Sequence, residues 1–182
     1  MSVFIDLSKG KVMQSYIEIC PGTYREDTGF WFETFAEGMV IQHRPGRTIT
    51  ETDNTWGSLL AMNQHPVHID SVYAESTEFK QILVSSLVTF SIVNGMTVRS
   101  ISQKGIANLG WDRVRLLAPV FIGDTLYAQS TVLKTRLSRS RQGQGIVSIS
   151  TIGTNQKANK VIAFDRTVLV PCKTTCAQSH QT

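Results

Sequence analysis

The chain has 182 residues, of which 41% are hydrophobic and 18% are charged. A chain of this length and composition can bury one sizeable core, which excludes a disordered polypeptide and disfavours a multi-domain architecture. The formal net charge is +4, but the basic residues are scattered without a run of five, so nucleic-acid binding is not indicated.

The first part of the chain predicts an arm followed by a short strand. Residues 1–36 contain aromatic side chains separated by glycines and acidic residues, and we interpret them as an irregular arm packed on the domain. Residues 38–43 favour a strand that ends at the turn signal Pro45-Gly46. The domain itself is then expected to extend over residues 37–171.

A short helix and a loop are predicted next. Thr50 and Asp53 fit an N-cap and a first-turn acid, and the apolar pattern that follows stops before Asn63. The segment NQHPVHID contains Pro66, which lacks the backbone N–H that a helix interior needs. We therefore predict a loop between two helices.

The centre of the chain predicts one long helix. From Glu78 to about Ser100 apolar side chains occur nearly all round the helical circumference, with small polar residues between them. Such a helix must be buried on most sides. Although the stretch is the most apolar of the chain, its serines, threonine and asparagine argue against a membrane span.

Four strand segments are predicted after this helix, at residues 106–120, 124–137, 145–155 and 160–171. The short connections between them indicate antiparallel pairing. A curled antiparallel sheet that wraps one long helix accommodates this order, so the predicted fold class is α+β, a single hot-dog domain. Because active sites in this architecture usually need a second copy, we expect a homodimer or a higher homo-oligomer. Residues 172–182 are expected to form a flexible tail.

The sequence offers no sign of export, disulfides or metal binding. The N-terminus lacks the basic and apolar regions of a signal peptide, so a cytoplasmic protein without a membrane partner is expected. Cys20, Cys172 and Cys176 show no paired spacing that would indicate a disulfide framework or a zinc site. His65 and His68 lack the helical spacing of a zinc motif and would need Asp70 or a more distant residue as a third ligand, so no metal is predicted.

The loop before the long helix carries the candidate chemistry. Histidine titrates near neutrality, so a positioned imidazole at His65 or His68 can take and return a proton, although a hydrogen-bonding role in a tight loop is an equally good interpretation of each. The first turn of the following helix presents unpaired N–H groups and partial positive charge, which suit the oxygen of a thioester carbonyl. The combination suggests hydration of a double bond conjugated to a carbonyl.

Three blocks of the sequence carry a resemblance to a known family. They are GRTITETDNTW at 46–56, MNQHPVHIDSVYAESTEF at 62–79 and ANLGWDRVRLLAPVFIGDTL at 107–126. They resemble the MaoC-like dehydratases, which are hot-dog proteins, and within them the branch associated with hydration of mesaconyl-CoA and itaconyl-CoA. The resemblance covers about residues 20–170.

The family signature is Asp-x4-His in the loop, then a glycine near the start of the helix and a serine further along. His68 matches the histidine and Ser91 the serine, whereas Asn63 stands where the aspartate belongs, Ser86 where the glycine belongs and His65 where an asparagine is usual. An amide does not accept a proton as a carboxylate does. The resemblance therefore leaves His68 as the main proton-transferring residue.

The resemblance implies reversible hydration of a short 2-enoyl-CoA. Methyl-branched and dicarboxylic acyl groups are included in this family, as in mesaconyl-CoA or itaconyl-CoA. Coenzyme A is then part of the substrate, and no further cofactor is expected. Asn63 would position the water, and Asp70 or Asp53 is a candidate for the missing carboxylate. The serines Ser85, Ser86 and Ser91 are the candidates for the oxyanion site and its support.

Substrate-binding candidates complete the prediction. Arg139 and Arg141, with Arg136 nearby, are expected to reach the phosphates of coenzyme A. The alternative for these arginines is a solvated basic loop. His65 is a further candidate contact residue.

Two other functions use the same fold. One is a non-catalytic acyl-CoA-binding protein, which Asn63 favours, and the other is an acyl-CoA thioesterase, which requires a carboxylate.

Overall fold

A computed structural model describes residues 15–173, which form two antiparallel sheets. The smaller sheet is a hairpin of β1 (Tyr16–Cys20) and β2 (Thr23–Glu26). The strands of the larger sheet are β3 (Val40–Thr48), β4 (Ala107–Leu116), β5 (Thr125–Leu137), β6 (Gln144–Thr154) and β7 (Lys160–Pro171). Their order in the sheet is β3-β5-β6-β7-β4.

Three α-helices accompany the sheets: α1 (Glu51–Leu60), α2 (Ser71–Ser76) and α3 (Ser86–Met96). A π-helical turn, Val98–Ser102, continues α3, and 3₁₀ turns lie at Phe32–Thr34 and Pro66–His68. No helix among residues 15–173 is long and apolar enough to cross a membrane.

Helix α3 packs across the larger sheet and organises the core. Its Phe90 meets Phe164 of β7 edge to face, with ring centroids 5.0 Å apart. Two glycines allow close approach on opposite sides: a Cβ at Gly153 of β6 would lie 2.9 Å from Val93, and one at Gly57 of α1 would lie 2.4 Å from Val88. The helix is thus held between the sheet and α1.

Helix α1 begins as its capping residues predict. The Thr50 hydroxyl accepts a hydrogen bond from the Asp53 backbone N–H, and the Asp53 carboxylate accepts one from the Thr50 N–H, which is a capping box. Arg47 pairs with the same carboxylate. Burial acts to raise the pKa of Asp53, but the hydrogen bonds from Thr50 and the charge of Arg47 outweigh it and hold that pKa below its usual value.

The predicted α+β hot-dog architecture is confirmed, and all four strands predicted after the central helix are present. The helix itself is shorter than predicted, because it begins at Ser86 rather than Glu78. Residues before it bond to other segments instead: the Leu83 N–H donates to the Val67 carbonyl and the Val84 N–H to the Val120 carbonyl. These long-range bonds override the helical pattern.

Two predictions in the first part of the chain were wrong. Strand β3 does not end at Pro45-Gly46, because proline is tolerated at a bulge in an edge strand and the register against β5 shifts between His43 and Arg47. The arm is not irregular throughout, since β1 and β2 pair around a turn in which Gly22 has φ +76°. Most of the predicted tail lies beyond residue 173, outside the described residues.

Candidate active site

The loop between α1 and α2 is built around a 3₁₀ turn that carries His68. His65 caps this turn, because its Nδ1 accepts a hydrogen bond from the Val67 N–H at 3.3 Å. The Asn63 side-chain oxygen accepts a bond from the His65 N–H at 3.2 Å, and its Nδ2 donates to the Ser85 hydroxyl at 3.4 Å. Asn63 thus ties the loop to the start of α3.

The imidazole of His68 is held by a backbone carbonyl. Its Nδ1 lies 2.7 Å from the Leu83 oxygen, which has no hydrogen to give. Nδ1 must therefore carry the hydrogen, and in the neutral ring Nε2 is the basic nitrogen. A ring fixed in this tautomer is prepared to accept a proton at Nε2.

The amino end of α3 lies beside this histidine. Ser85 is the N-cap residue and is fully buried, yet its side chain makes no capping hydrogen bond. The first N–H groups of a helix have no partner within it and carry partial positive charge. Ser86, the first residue of the helix, lines the same pocket as His68. The histidine and the first residue of the helix thus border one space.

That pocket has a volume of about 500 Å³ and a mostly apolar wall. Opposite the helix its wall is formed by the segment between β4 and β5. The residues that line it are His68, Phe79, Leu83, Val84, Ser86, Thr89, Leu116, Leu117, Ala118, Pro119, Val120 and Val161. Neither a carboxylate nor a cationic Lys or Arg belongs to this described lining.

Asn54 is a site residue that the sequence analysis missed. It lies on α1 and is 1% exposed. Its Nδ2 donates to the His68 carbonyl at 2.7 Å, and its Oδ1 accepts from the Ser85 N–H at 2.9 Å. One amide side chain therefore joins the loop between α1 and α2, which carries His65 and His68 and is called the histidine loop below, to the N-cap of α3. Its position within the DNTW sequence gives no signal of this, because both partners are distant in the chain.

Neither acidic candidate supplies a carboxylate to the pocket. Asp70 is the exposed N-cap of α2, where its Oδ1 accepts a bond from the Tyr73 N–H at 3.0 Å. Asp53 is engaged in the capping box of α1 and by Arg47. His68 is oriented by the Leu83 carbonyl instead. The expectation that Asp70 acts with His68 is therefore not supported by the geometry.

The remaining candidates divide between the pocket and distant surfaces. Ser85 and Ser86 lie at the start of α3, whereas Ser91 is exposed and outside the pocket lining. Arg139 and Arg141 follow the end of β5, a 13-residue strand that begins near the pocket. At about 3.3 Å per residue the strand spans roughly 40 Å, so one chain does not bring these arginines to His68.

A second pocket of about 500 Å³ lies near the other end of α3. It contains His43, which is 4% exposed, with Nε2 2.8 Å from the Ser130 hydroxyl and Nδ1 3.1 Å from the Ser100 hydroxyl. Burial, with the charge of Arg44 as a smaller contribution, lowers the pKa of His43 to about 4. Because both ring nitrogens already have partners, we do not assign the chemistry to this histidine.

Among residues 15–173, no group of three or more His, Cys, Asp or Glu side chains is arranged to hold a metal ion. The described part of the chain is a hot-dog domain in which His68 and the amino end of the central helix line one pocket. The chain belongs to the mesaconyl-CoA hydratase family, whose model matches residues 13–181. The predicted family is thereby confirmed.

Curated relatives agree with this assignment. The mesaconyl-CoA hydratase of Cereibacter sphaeroides is 33% identical over 153 residues, which cover 84% of this chain and 44% of that protein. The beta-methylmalyl-CoA dehydratase of Chloroflexus aurantiacus is 34% identical over 146 residues, which cover 80% of this chain and 41% of that protein. The chain thus spans less than half the length of these relatives.

Solved structures show the same fold. A MaoC domain protein dehydratase from Chloroflexus aurantiacus superposes with a TM-score of 0.77 at 34% identity, over 85% of this chain and 44% of that one. A Mycobacterium tuberculosis protein with a double hot-dog fold gives 0.74 at 19% identity, over 84% of this chain and 47% of that one. At that identity the second match shows the fold alone.

Proposed function

We propose that this chain catalyses the reversible hydration of a short 2-enoyl-CoA, with methyl-branched and dicarboxylic esters such as mesaconyl-CoA as the preferred candidates. The observation that carries the proposal is the shared pocket of His68 and the amino end of α3. The family and its hydratase and dehydratase relatives support the same chemistry. Coenzyme A enters as part of the substrate, and no further cofactor is proposed.

In the forward direction His68 Nε2 removes a proton from a water as the water oxygen bonds to the β-carbon. The electrons of the double bond move toward the thioester oxygen, where the N–H groups of the first turn of α3 stabilise the developing negative charge. The proton then passes from Nε2 to the α-carbon, which restores the thioester. One molecule of water is added, and His68 ends in its starting state.

Asn63 assists this reaction without a proton-transfer role. Its side chain uses one oxygen lone pair and one N–H within the protein, which leaves one of each for a water molecule. We assign it to holding the loop against the start of α3, because Asn63 is not among the residues that line the His68 pocket. The apolar wall of the pocket suits the hydrocarbon part of the acyl group.

The direct test measures hydration of mesaconyl-, itaconyl- and crotonyl-CoA by chromatographic separation of substrate and product esters, beside binding of the same esters by calorimetry. We expect turnover of at least one ester, with product identified as the 3-hydroxyacyl-CoA by mass spectrometry. Binding without turnover on all three contradicts the proposal.

A non-catalytic acyl-CoA-binding function is the second candidate, and Asn63 in place of the family aspartate is the observation that favours it. Binding without turnover, unchanged in His68→Ala, is the result that supports it. Thioesterase activity is less well supported, because the described pocket lining contains no carboxylate. Release of free thiol in the same assay distinguishes that reaction from hydration.

We further propose a homodimer in which a second copy lies along β4. This strand is at the edge of the larger sheet and exposes Leu109, Trp111, Val114 and Leu116. An exposed apolar edge strand is a surface that proteins usually pair or cover. Leu116 and Leu117 also line the His68 pocket and are about half exposed, so a second copy on this edge closes the pocket on its open side.

The expected consequence is that Leu109→Glu gives monomers and lowers hydration activity, because it places a charge on the proposed interface. Sedimentation velocity measures the oligomeric state and the enoyl-CoA assay measures activity. Leu137→Glu is the matched control, since both leucines are 51% exposed and Leu137 lies at the far end of β5. A wild-type protein that sediments as a monomer under the conditions in which it hydrates its substrate contradicts the proposed dimer interface.

A further inference from the structure

Three separate segments meet at the candidate site. The histidine loop and the segment before α3 are joined to each other by two hydrogen bonds of Leu83. The Leu83 N–H donates to the Val67 carbonyl, and the Leu83 carbonyl accepts from His68 Nδ1. Helix α1 is the third element. Asn54 on this helix is the side chain that bonds to both of the others.

We propose that Asn54 is a positioning residue that fixes the distance between the basic nitrogen of His68 and the N–H groups at the start of α3. This inference rests on the proposed hydration and deepens it by naming a determinant of the site geometry. The two hydrogen bonds use the donor and the acceptor of one planar amide, so neither partner moves without disturbing the other. Displacements of about 1 Å cost on the order of 10²-fold in rate when reacting groups are preorganised.

The surroundings of Asn54 make this arrangement rigid. The side chain is buried, so water does not replace either hydrogen bond. The next turn of helix α1 is held by other contacts: Gly57 packs against Val88 of α3, and the Ser58 carbonyl accepts a bond from the Asn63 N–H at 2.9 Å. The amide is therefore presented from a fixed support to the two elements that perform the chemistry.

Two substitutions separate the two hydrogen bonds. Asn54→Asp has the same shape and keeps the acceptor for the Ser85 N–H, but it loses the donor to the His68 carbonyl and places two oxygens in opposition there. Asn54→Ala removes both bonds. Ser58→Ala is the matched control, because Ser58 is equally buried on the same helix and its hydroxyl has no hydrogen-bond partner among the described residues.

The first readout does not depend on activity. Long-range ¹⁵N–¹H spectra of the histidine rings, with the His68 signals assigned from a His68→Gln sample, report which ring nitrogen carries the hydrogen. We expect a single Nδ1–H form in the wild type and in Ser58→Ala. Both Asn54 variants are expected to show a mixture of tautomers, because the loop carbonyl is no longer held and the ring no longer meets Leu83 in one geometry.

The second readout is kinetic. We expect kcat to fall on the order of 10²-fold in Asn54→Ala and Asn54→Asp, with KM changed by less than about threefold, because the acyl pocket itself is untouched. Thermal unfolding establishes that each variant is folded at the assay temperature. A role in stability alone lowers the unfolding midpoint but leaves kcat per folded molecule and the ring spectra unchanged.

The outcomes separate this proposal from the proposed function. Wild-type-like His68 spectra in folded Asn54→Ala overturn the positioning role, and so does a kcat within twofold of wild type in both variants. A wild-type protein that hydrates none of the esters overturns the hydration proposal, while the ring spectra still decide whether Asn54 fixes His68. If Asn54→Asp does not fold, Asn54→Ala alone gives both readouts.

Discussion

His68→Ala is expected to lower kcat for hydration on the order of 10²-fold or more, the usual scale for loss of a general acid–base residue. The effect falls on kcat because Nε2 of this ring both removes the proton from water and returns it to the α-carbon. KM is expected to change little, since the apolar wall of the pocket and the N–H groups of α3 remain in place. Steady-state kinetics with the best enoyl-CoA ester measure both quantities.

His65→Asn is the matched control for this experiment. It lies in the same loop, is exposed and, contrary to its predicted role as a substrate contact, does not line the His68 pocket. An asparagine there retains an oxygen that accepts the capping bond from the Val67 N–H. We expect it to keep most of the wild-type kcat. If His68→Ala hydrates the ester at a rate near wild type, the assignment of the proton transfer to His68 is wrong.

The second large effect is a loss of stability in mild acid caused by His43. Its pKa in the folded protein is about 4, against 6.5 for an ordinary histidine, so the unfolded chain binds a proton more readily between these values. The part of the unfolding free energy that comes from keeping His43 neutral is complete above pH 6.5, and it is lost as the pH falls toward 4. A difference of about 2.5 pKa units corresponds to about 3 kcal/mol of unfolding free energy.

Urea unfolding at pH 7, 6, 5 and 4.5 measures this contribution. His43→Gln removes the titrating group. The unfolding free energy of this variant is therefore expected to depend less steeply on pH than that of the wild type, even if the substitution shifts the unfolding free energy by the same amount at every pH. His65→Gln, at an exposed position, is expected to keep the wild-type slope. Parallel curves for the wild type and His43→Gln contradict a neutral buried His43.

Much of the fold was predictable from local pattern. Strands β5 and β6 alternate buried and more exposed residues at period two, which the sequence displays directly. The start of α1 was predictable because Thr50 and Asp53 satisfy each other within one turn. In each case the residues that determine the element are close together in the chain.

The site was less predictable because its geometry depends on contacts between distant segments. His68 was identified from its residue type and its family position, but the carbonyl that orients it is 15 residues away and belongs to no side chain. Asn54 bonds to groups 14 and 31 residues away. The start of α3 at Ser86 likewise follows from backbone bonds to Val67 and Val120, which periodicity does not reveal.

Charged candidates were the hardest to place. Asp70 and Arg139 have suitable chemistry, yet Asp70 caps α2 and Arg139 lies beyond the far end of β5. Distance along the sequence does not predict either placement. Asp70 points to the N–H groups of the helix that follows it, and the extended strand β5 places Arg139 far from the residues at which the strand begins. Only the three-dimensional arrangement separates a carboxylate near the histidine in sequence from one near it in space.

The two glycine contacts on α3 have a consequence for how substrate range changes among proteins of this architecture. Side chains at Gly57 or Gly153 would collide with Val88 or Val93, so the helix has no room to shift and enlarge the acyl site. Accommodation of a longer or bulkier ester must therefore come from the facing wall, where Leu116, Leu117 and Pro119 belong to an edge strand and a connection. Natural variation in chain-length preference is expected to concentrate there, while the helix keeps its dimensions.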